Sequence, residues 1–285
     1  MIAEALGFSK GTIGRELKRN GGDREYDPKM ADNLSTGRYR NCRRKKIIIG
    51  TLREKVASLL EEKWSPQLIA GRLRQEGVSN VSHDTIYNFI FENKELGLHL
   101  RRFGRRGGGR FVQRRARKGR FLPISQRPEI VANRQRLGDW ERDGMYVANR
   151  NQVLVCVDRK SRYTMIAAMG HGKPKEVTNI TAQMLNSLPI RNFTITNDNG
   201  PENRDSKNQE WPVYHCDPGK PQQRGTIENT IGLLRQYINR KTPIETLDEQ
   251  ELNRIANQLN SRPRRCLDYQ TPYEVMFGVK VALAS

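Results

Sequence analysis

Apolar residues recur at helical spacing in several stretches of the chain and alternate in a few others. Residues 222–238, QQRGTIENTIGLLRQYI, carry Ile227, Ile231, Leu234 and Ile238 at i, i+4, i+7 and i+11, one face of an amphipathic helix. Glu228 sits one position round from that face. Arg224 precedes it by one turn, Gly232 follows by one turn, and Arg235 lies beyond on the same side. A salt-bridged helix edge fits this pattern, and so does a carboxylate held beside a packed face.

The region around this helix reads as an α/β layer. Residues 131–137 finish a helix, and 140–147, 152–158 and 163–169 read as strands. Val153, Val155 and Val157 alternate with Leu154 and Cys156, a run apolar enough for a central strand buried on both faces. An amphipathic helix over 175–188, short strands over 193–196 and 213–216, the 222–238 helix and another helix over 247–260 complete the order.

The first hundred residues are helical in pattern. Residues 2–20, IAEALGFSKGTIGRELKRN, place Ala3, Gly7 and Ile13 at the spacing of a helix-turn-helix, with Ser9, Lys10, Thr12 and Arg15 near the start of its second helix. An ordinary helical hairpin has the same spacing. A supporting helix normally precedes such a pair, and this segment is expected to lack it. After a short helical stretch and a basic run over 38–46, an amphipathic helix spans 52–62. A second helix-turn-helix is expected next, with Ser65 and Pro66 opening one helix and Ser82 capping the other. Ser82, His83, Asp84 and Asn88 are its candidates for groove contact, although His83 fits a place beside the cap equally well.

Charge then narrows the class. Fifty-one Lys and Arg against 31 Asp and Glu give a formal +20, which points to a polyanionic partner, nucleic acid before membrane. Residues 101–120 are rich in Arg and hold no acid, so they read as an arm in which Arg114, Arg115 and Arg117 neutralise phosphates, or as a solvated linker. No run approaches the ~18 apolar residues of a spanning helix, and no signal-peptide core opens the chain. A cytoplasmic, nucleoid-associated protein is expected. The four cysteines and four histidines are scattered, which indicates neither a zinc site nor a disulfide framework.

Three acids stand out against this background. Asp143 lies within the first strand of the α/β layer, Asp198 just past the 193–196 strand, and Glu228 on the helix described above. Clustered carboxylates repel one another and call for cations. Mg²⁺ prefers oxygen ligands, and a pair of ions about 4 Å apart suits an in-line phosphoryl displacement.

At these residues the chain resembles the DDE transposases of bacterial insertion sequences, specifically the insertion-sequence-thirty family. The blocks GDWERD, VDRKSRY, TNDNG, CDPGKPQQRGTIENTIGLLRQY, LNSRPRRCL and TPYE occur in the family's order, with WSPQLIAGRL and VSHDTIY ahead of them. The resemblance implies that Asp143, Asp198 and Glu228 are catalytic and bind two Mg²⁺ ions, with Mn²⁺ able to substitute. It implies an α/β ribonuclease-H-like catalytic domain preceded by all-α helix-turn-helix DNA-binding segments. The expected divisions are a helix-turn-helix segment over 1–46, a second over 47–100, a basic arm over 101–130 and the catalytic domain over 131–285. Double-stranded DNA is the expected partner, both terminal inverted repeats and target, bound by a homodimer or higher oligomer. Arg224 and Arg235 would contact that DNA. A repressor retaining the fold and an integrase-like nuclease are the alternatives.

The chain departs from the family pattern at Asp139, where His is usual, at Arg142, where Gly is usual, and in a shorter interval between the second Asp and the Glu. Asp158 is expected to pair with Arg159 or Arg162 rather than with metal.

Overall fold

The computed structural model describes residues 2–22, 24–41, 47–101 and 122–280. The chain divides into two compact units, Met1–Ile47 and Ile48–Ser285.

In the first unit, α1 (Ile2–Ala5) and α2 (Lys10–Arg19) are followed by α3 (Pro28–Asn41). Ser9 caps α2 by accepting from the Thr12 amide, which satisfies one of the helix's free N–H groups. Helix α3 runs on into the basic stretch that the sequence pattern set apart, held at its far end by Arg38 donating to the Asn20 side chain at 2.8 Å.

The second unit opens with three helices, α4 (Gly50–Glu61), α5 (Pro66–Gln75) and α6 (His83–Glu92). Ser65 and Ser82 cap α5 and α6 through the Leu68 and Thr85 amides. Val56, Leu60, Ile69, Leu73, Ile86 and Ile90 form the common core of the three.

A six-stranded mixed sheet follows. Its strands are β1 (Leu122–Pro123), β2 (Asp139–Tyr146), β3 (Gln152–Asp158), β4 (Thr164–Ala168), β5 (Thr194–Asn197) and β6 (Val213–His215), in the order β1-β6-β5-β2-β3-β4. β2, β3 and β4 pair antiparallel, whereas β5 is parallel to both β2 and β6. The short α7 (Glu129–Ala132) precedes β2 and ends sooner than the periodicity predicts, because Arg134 turns to a positive φ of 56°. α8 (Pro174–Asn186), α9 (Gly225–Leu234), α10 (Glu249–Asn260) and α11 (Pro272–Phe277) complete the unit.

The pleat of β3 sorts its side chains by face. Val153, Val155 and Val157 join Ile227, Leu234 and Ile238 of the α9 region and Ile255 and Leu259 of α10 in one core. Leu154 and Cys156 join Val177 and Leu185 of α8 and Met276 of α11 in the other. β3 is therefore buried on both sides, as its composition requires.

α5 and the turn before it also meet the segments after α9 and before α11. Gly71 of α5 carries no Cβ because the Tyr269 ring occupies that space, with its nearest atom 1.9 Å from where a Cβ would sit. Lys63 lies 3.8 Å from the Tyr237 ring centroid and donates to the Gln236 carbonyl at 2.8 Å, which places a cation at the C-terminal end of α9. Among the described residues no helix is long and apolar enough to cross a membrane.

Candidate active site

Neighbouring parallel strands bring two of the acids together. β2 and β5 pair Asp139 with Thr194 and Glu141 with Thr196. That register, extended by two residues, sets Asp143 opposite Asp198 where β5 has ended. The loop after β5 is stiffened around Asp198: its carboxylate accepts from the Gly200 amide at 2.9 Å and from Asn203 Nδ2 at 2.8 Å, and His215 Nδ1 lies 2.8 Å from its carbonyl.

The same loop delivers a third carboxylate that sequence reading missed. Oxygens of Asp143, Asp198 and Glu202 all lie within 4.8 Å of one another. Glu202 sits four residues after Asp198, and only the turn through Asn199 and Gly200 folds it back, a feature that strand and helix periodicity does not register.

Between the two aspartates lies a guanidinium. Arg224, the residue before α9, places Nη1 3.0 Å from Asp143 and Nη2 3.4 Å from Asp198, and it is largely buried. Burial pushes the Asp143 carboxyl up to about 6, against the pull of Arg224 and with the Asp198 charge adding to the rise. Burial also raises Glu202. The site is thus a pocket of hard oxygen donors with too few positive charges of its own, a donor set suited to a divalent cation.

Glu228 occupies the first turn of α9 and is exposed, and its carboxylate stands outside the group formed by the other three. Its pKa is raised by burial, lowered by Arg224 and raised by Glu141. What fixes its helix is Glu141 of β2, fully buried. One Glu141 oxygen accepts from the Ile227 amide at 2.9 Å, and the other is held by Arg159. A carboxylate at a helix N-terminus meets free N–H groups and the positive end of the dipole. The strand carrying Asp143 and the helix carrying Glu228 are locked together two residues from one acid and one residue from the other.

Further out, several sequence assignments find specific partners. Contrary to the expected pairing with Arg159 or Arg162, Asp158 accepts from the Gly138, Lys160 and Ser161 amides and the Ser161 hydroxyl, while Arg159 is taken by Glu141. Asp139 receives Arg136 and the Thr194 hydroxyl, a structural role. Arg142, in a position where the resemblance has Gly, is fully buried and donates to Thr181, Gln209 and Asn203 at 2.9 Å each. Asn203 in turn holds Asp198. Arg235 donates to the Tyr146 carbonyl at 2.7 Å, and the neighbour that Gly232 leaves room for is the Arg101 guanidinium, whose Nη2 lies 2.2 Å from where a Cβ would sit.

The remaining candidates lie on or beside α2 and α6. Ser9, Lys10, Thr12 and Arg15 are exposed at the beginning of α2, with Arg15 donating to the Gly11 carbonyl. Ser82, the cap of α6, and His83, Asp84 and Asn88 on the helix are all exposed, whereas Ile86, Phe89 and Ile90 are buried. Arg114, Arg115 and Arg117 lie outside the described residues.

Comparisons with known proteins follow the same lines. No family model matches the chain. The transposase for insertion sequence element IS4351 of Bacteroides fragilis is 36% identical over 286 residues, covering 96% of this chain and 88% of the relative. Transposase InsI for insertion sequence element IS30A of Escherichia coli (strain K12) is 35% identical over 301 residues, covering 96% and 77%. The transposase for insertion sequence element IS1086 of Cupriavidus metallidurans is 35% identical over 302 residues, covering 98% and 88%. Among solved structures, the catalytic core domain of BIV integrase matches 50% of this chain and 94% of that one at 20% identity, with a TM-score of 0.38.

Proposed function

The chain belongs to the insertion-sequence-thirty (IS30) family of transposases, and from that membership we propose that it binds the terminal inverted repeats of its element and catalyses metal-dependent DNA strand cleavage and strand transfer. The observation that carries the reading is the gathering of Asp143, within β2, and of Asp198 and Glu202, in the loop after β5, with oxygens within 4.8 Å of one another. Antiparallel β2, β3 and β4 flanked by parallel β5 and β6, covered on both faces by helices, support a ribonuclease-H-like catalytic domain.

The oxygen donors fit Mg²⁺, with Mn²⁺ as substitute. Asp143 and Asp198 would hold it, joined by Glu228 from α9 and with Glu202 beside them. When bound there, Mg²⁺ supplies the positive charge that polarises a scissile phosphate and favours deprotonation of the attacking hydroxyl. The protein's own groups do the positioning. Asn203 and the Gly200 amide orient the Asp198 carboxylate, Glu141 fixes the start of α9, and Arg224, which pairs with both aspartates, would pass to a DNA phosphate.

DNA recognition is assigned to the exposed starts of α2 and α6, through Ser9, Lys10, Thr12 and Arg15 and through Ser82, His83, Asp84 and Asn88. Arg114, Arg115 and Arg117 add contacts to phosphates without sequence choice, and the net +20 of the chain is in keeping with that use. Joining two ends calls for a dimer or higher oligomer on DNA.

The test uses purified protein and a duplex carrying the inverted repeats that flank its gene. Cleavage at the repeat end with Mg²⁺, and none with chelator, is the expected result. An intact duplex in both, with the protein bound, overturns the reading.

A further inference from the structure

Arg224 is placed unlike a residue that only waits for DNA. Its guanidinium is largely buried, uses Nη1 on Asp143 and Nη2 on Asp198, and also reaches the Arg142 carbonyl at 3.5 Å. It lies between the two carboxylates that would hold a metal ion.

We propose that Arg224 is an internal counter-ion of the acidic site, occupying in the metal-free protein the place a divalent cation takes, so that cation entry and guanidinium release are one exchange. The proposal rests on reading the acids as a metal site. Two carboxylates facing each other, one of them mostly buried, call for positive charge, and a single guanidinium reaches both. A divalent ion bound to the same oxygens would stand within a few ångströms of that guanidinium, and at partly buried range the repulsion would far exceed thermal energy.

The local backbone leaves Arg224 a way out. It sits at the break between the turn Pro221–Arg224 and α9, with φ −123° and ψ 31°, and it is followed by Gly225, beside which the space is open. Turned outward, its side chain meets the exposed first turn of α9, where Glu228 lies four residues on. A DNA phosphate arriving there would hold the released guanidinium, so DNA binding and cation binding would favour each other by linkage. A strongly basic protein would then keep its cleavage site empty of metal until DNA occupies it.

The test counts bound Mn²⁺ by electron paramagnetic resonance, in protein free of DNA. Arg224→Gln is expected to bind Mn²⁺ on the order of tenfold more tightly than wild type, equivalent to about 1.4 kcal/mol. Arg224→Lys keeps one charge but cannot span both carboxylates, and it is expected in between, which preserves the comparison if the Gln variant does not fold. Equal or weaker Mn²⁺ binding by the variants overturns the exchange. Mn²⁺ binding that is absent from the wild type and both Arg224 variants alike, or that Asp143→Asn leaves unaltered in the Arg224→Gln protein, overturns the metal-site reading beneath it, a distinct result.

Discussion

Arg72 and Glu274 meet as a buried two-pronged pair, with Nη1 2.8 Å from Oε2 and Nη2 2.9 Å from Oε1. The pair joins α5 to α11, and Glu274 also closes the capping box of α11 with Thr271. The helices that begin the second unit are thereby fixed to the C-terminal helix packed under the sheet.

Removing one partner of such a pair strands a charge in a poorly solvated place. Arg72→Met is expected to destabilise the protein by about 3–5 kcal/mol, and Arg72→Met combined with Glu274→Met by clearly less. Urea unfolding of the two singles and the double measures this. Additive losses would mean that the two side chains do not depend on each other.

Much of the sheet was legible in the sequence, because alternation along a strand directly reports burial. Val153 to Val157 announced a strand buried on both faces, and Asp143 within one strand and Asp198 just past another were both placed by it. Contacts between residues far apart in sequence were not legible. Nothing in the text around Arg72 points to Glu274, and Arg224 looked like a surface cation because helical spacing says nothing of what lies across from a helix's first residue. Glu202 was missed because its approach to Asp198 depends on a tight turn. Gly232 faces the Arg101 guanidinium, a neighbour that helical spacing does not reveal.

The chain Arg142, Asn203, Asp198 places a buried cation behind a candidate metal ligand. Arg142→Met is expected to leave Asn203 free to turn and to slow DNA cleavage on the order of tenfold, about 1.4 kcal/mol in transition-state stabilisation. Repeat-end affinity should stay within a few-fold. Single-turnover cleavage beside a gel shift checks it, and an unchanged rate would show that Asn203 keeps its place without Arg142.

Asp143 gives the metal-free protein a specific pH dependence. Its folded carboxyl is raised from 3.8 to about 6 by burial, so this group supports folding fully below about pH 3.8 and loses that support as pH rises through about 6. In chelator, the stability of wild type relative to Asp143→Asn should therefore fall between pH 4 and 7, by an amount on the order of 3 kcal/mol. Denaturant titrations across that range measure the difference, and a flat difference would mean that Asp143 is solvated like an ordinary surface carboxylate.

The central claim is that Asp143 and Asp198 hold the metal on which DNA cleavage depends. It is tested most directly by assaying Asp143→Asn and Asp198→Asn for binding and for Mg²⁺-dependent nicking on one repeat-end duplex. The account predicts that nicking is abolished in both while binding stays within a few-fold of wild type. Full nicking by either variant would contradict it.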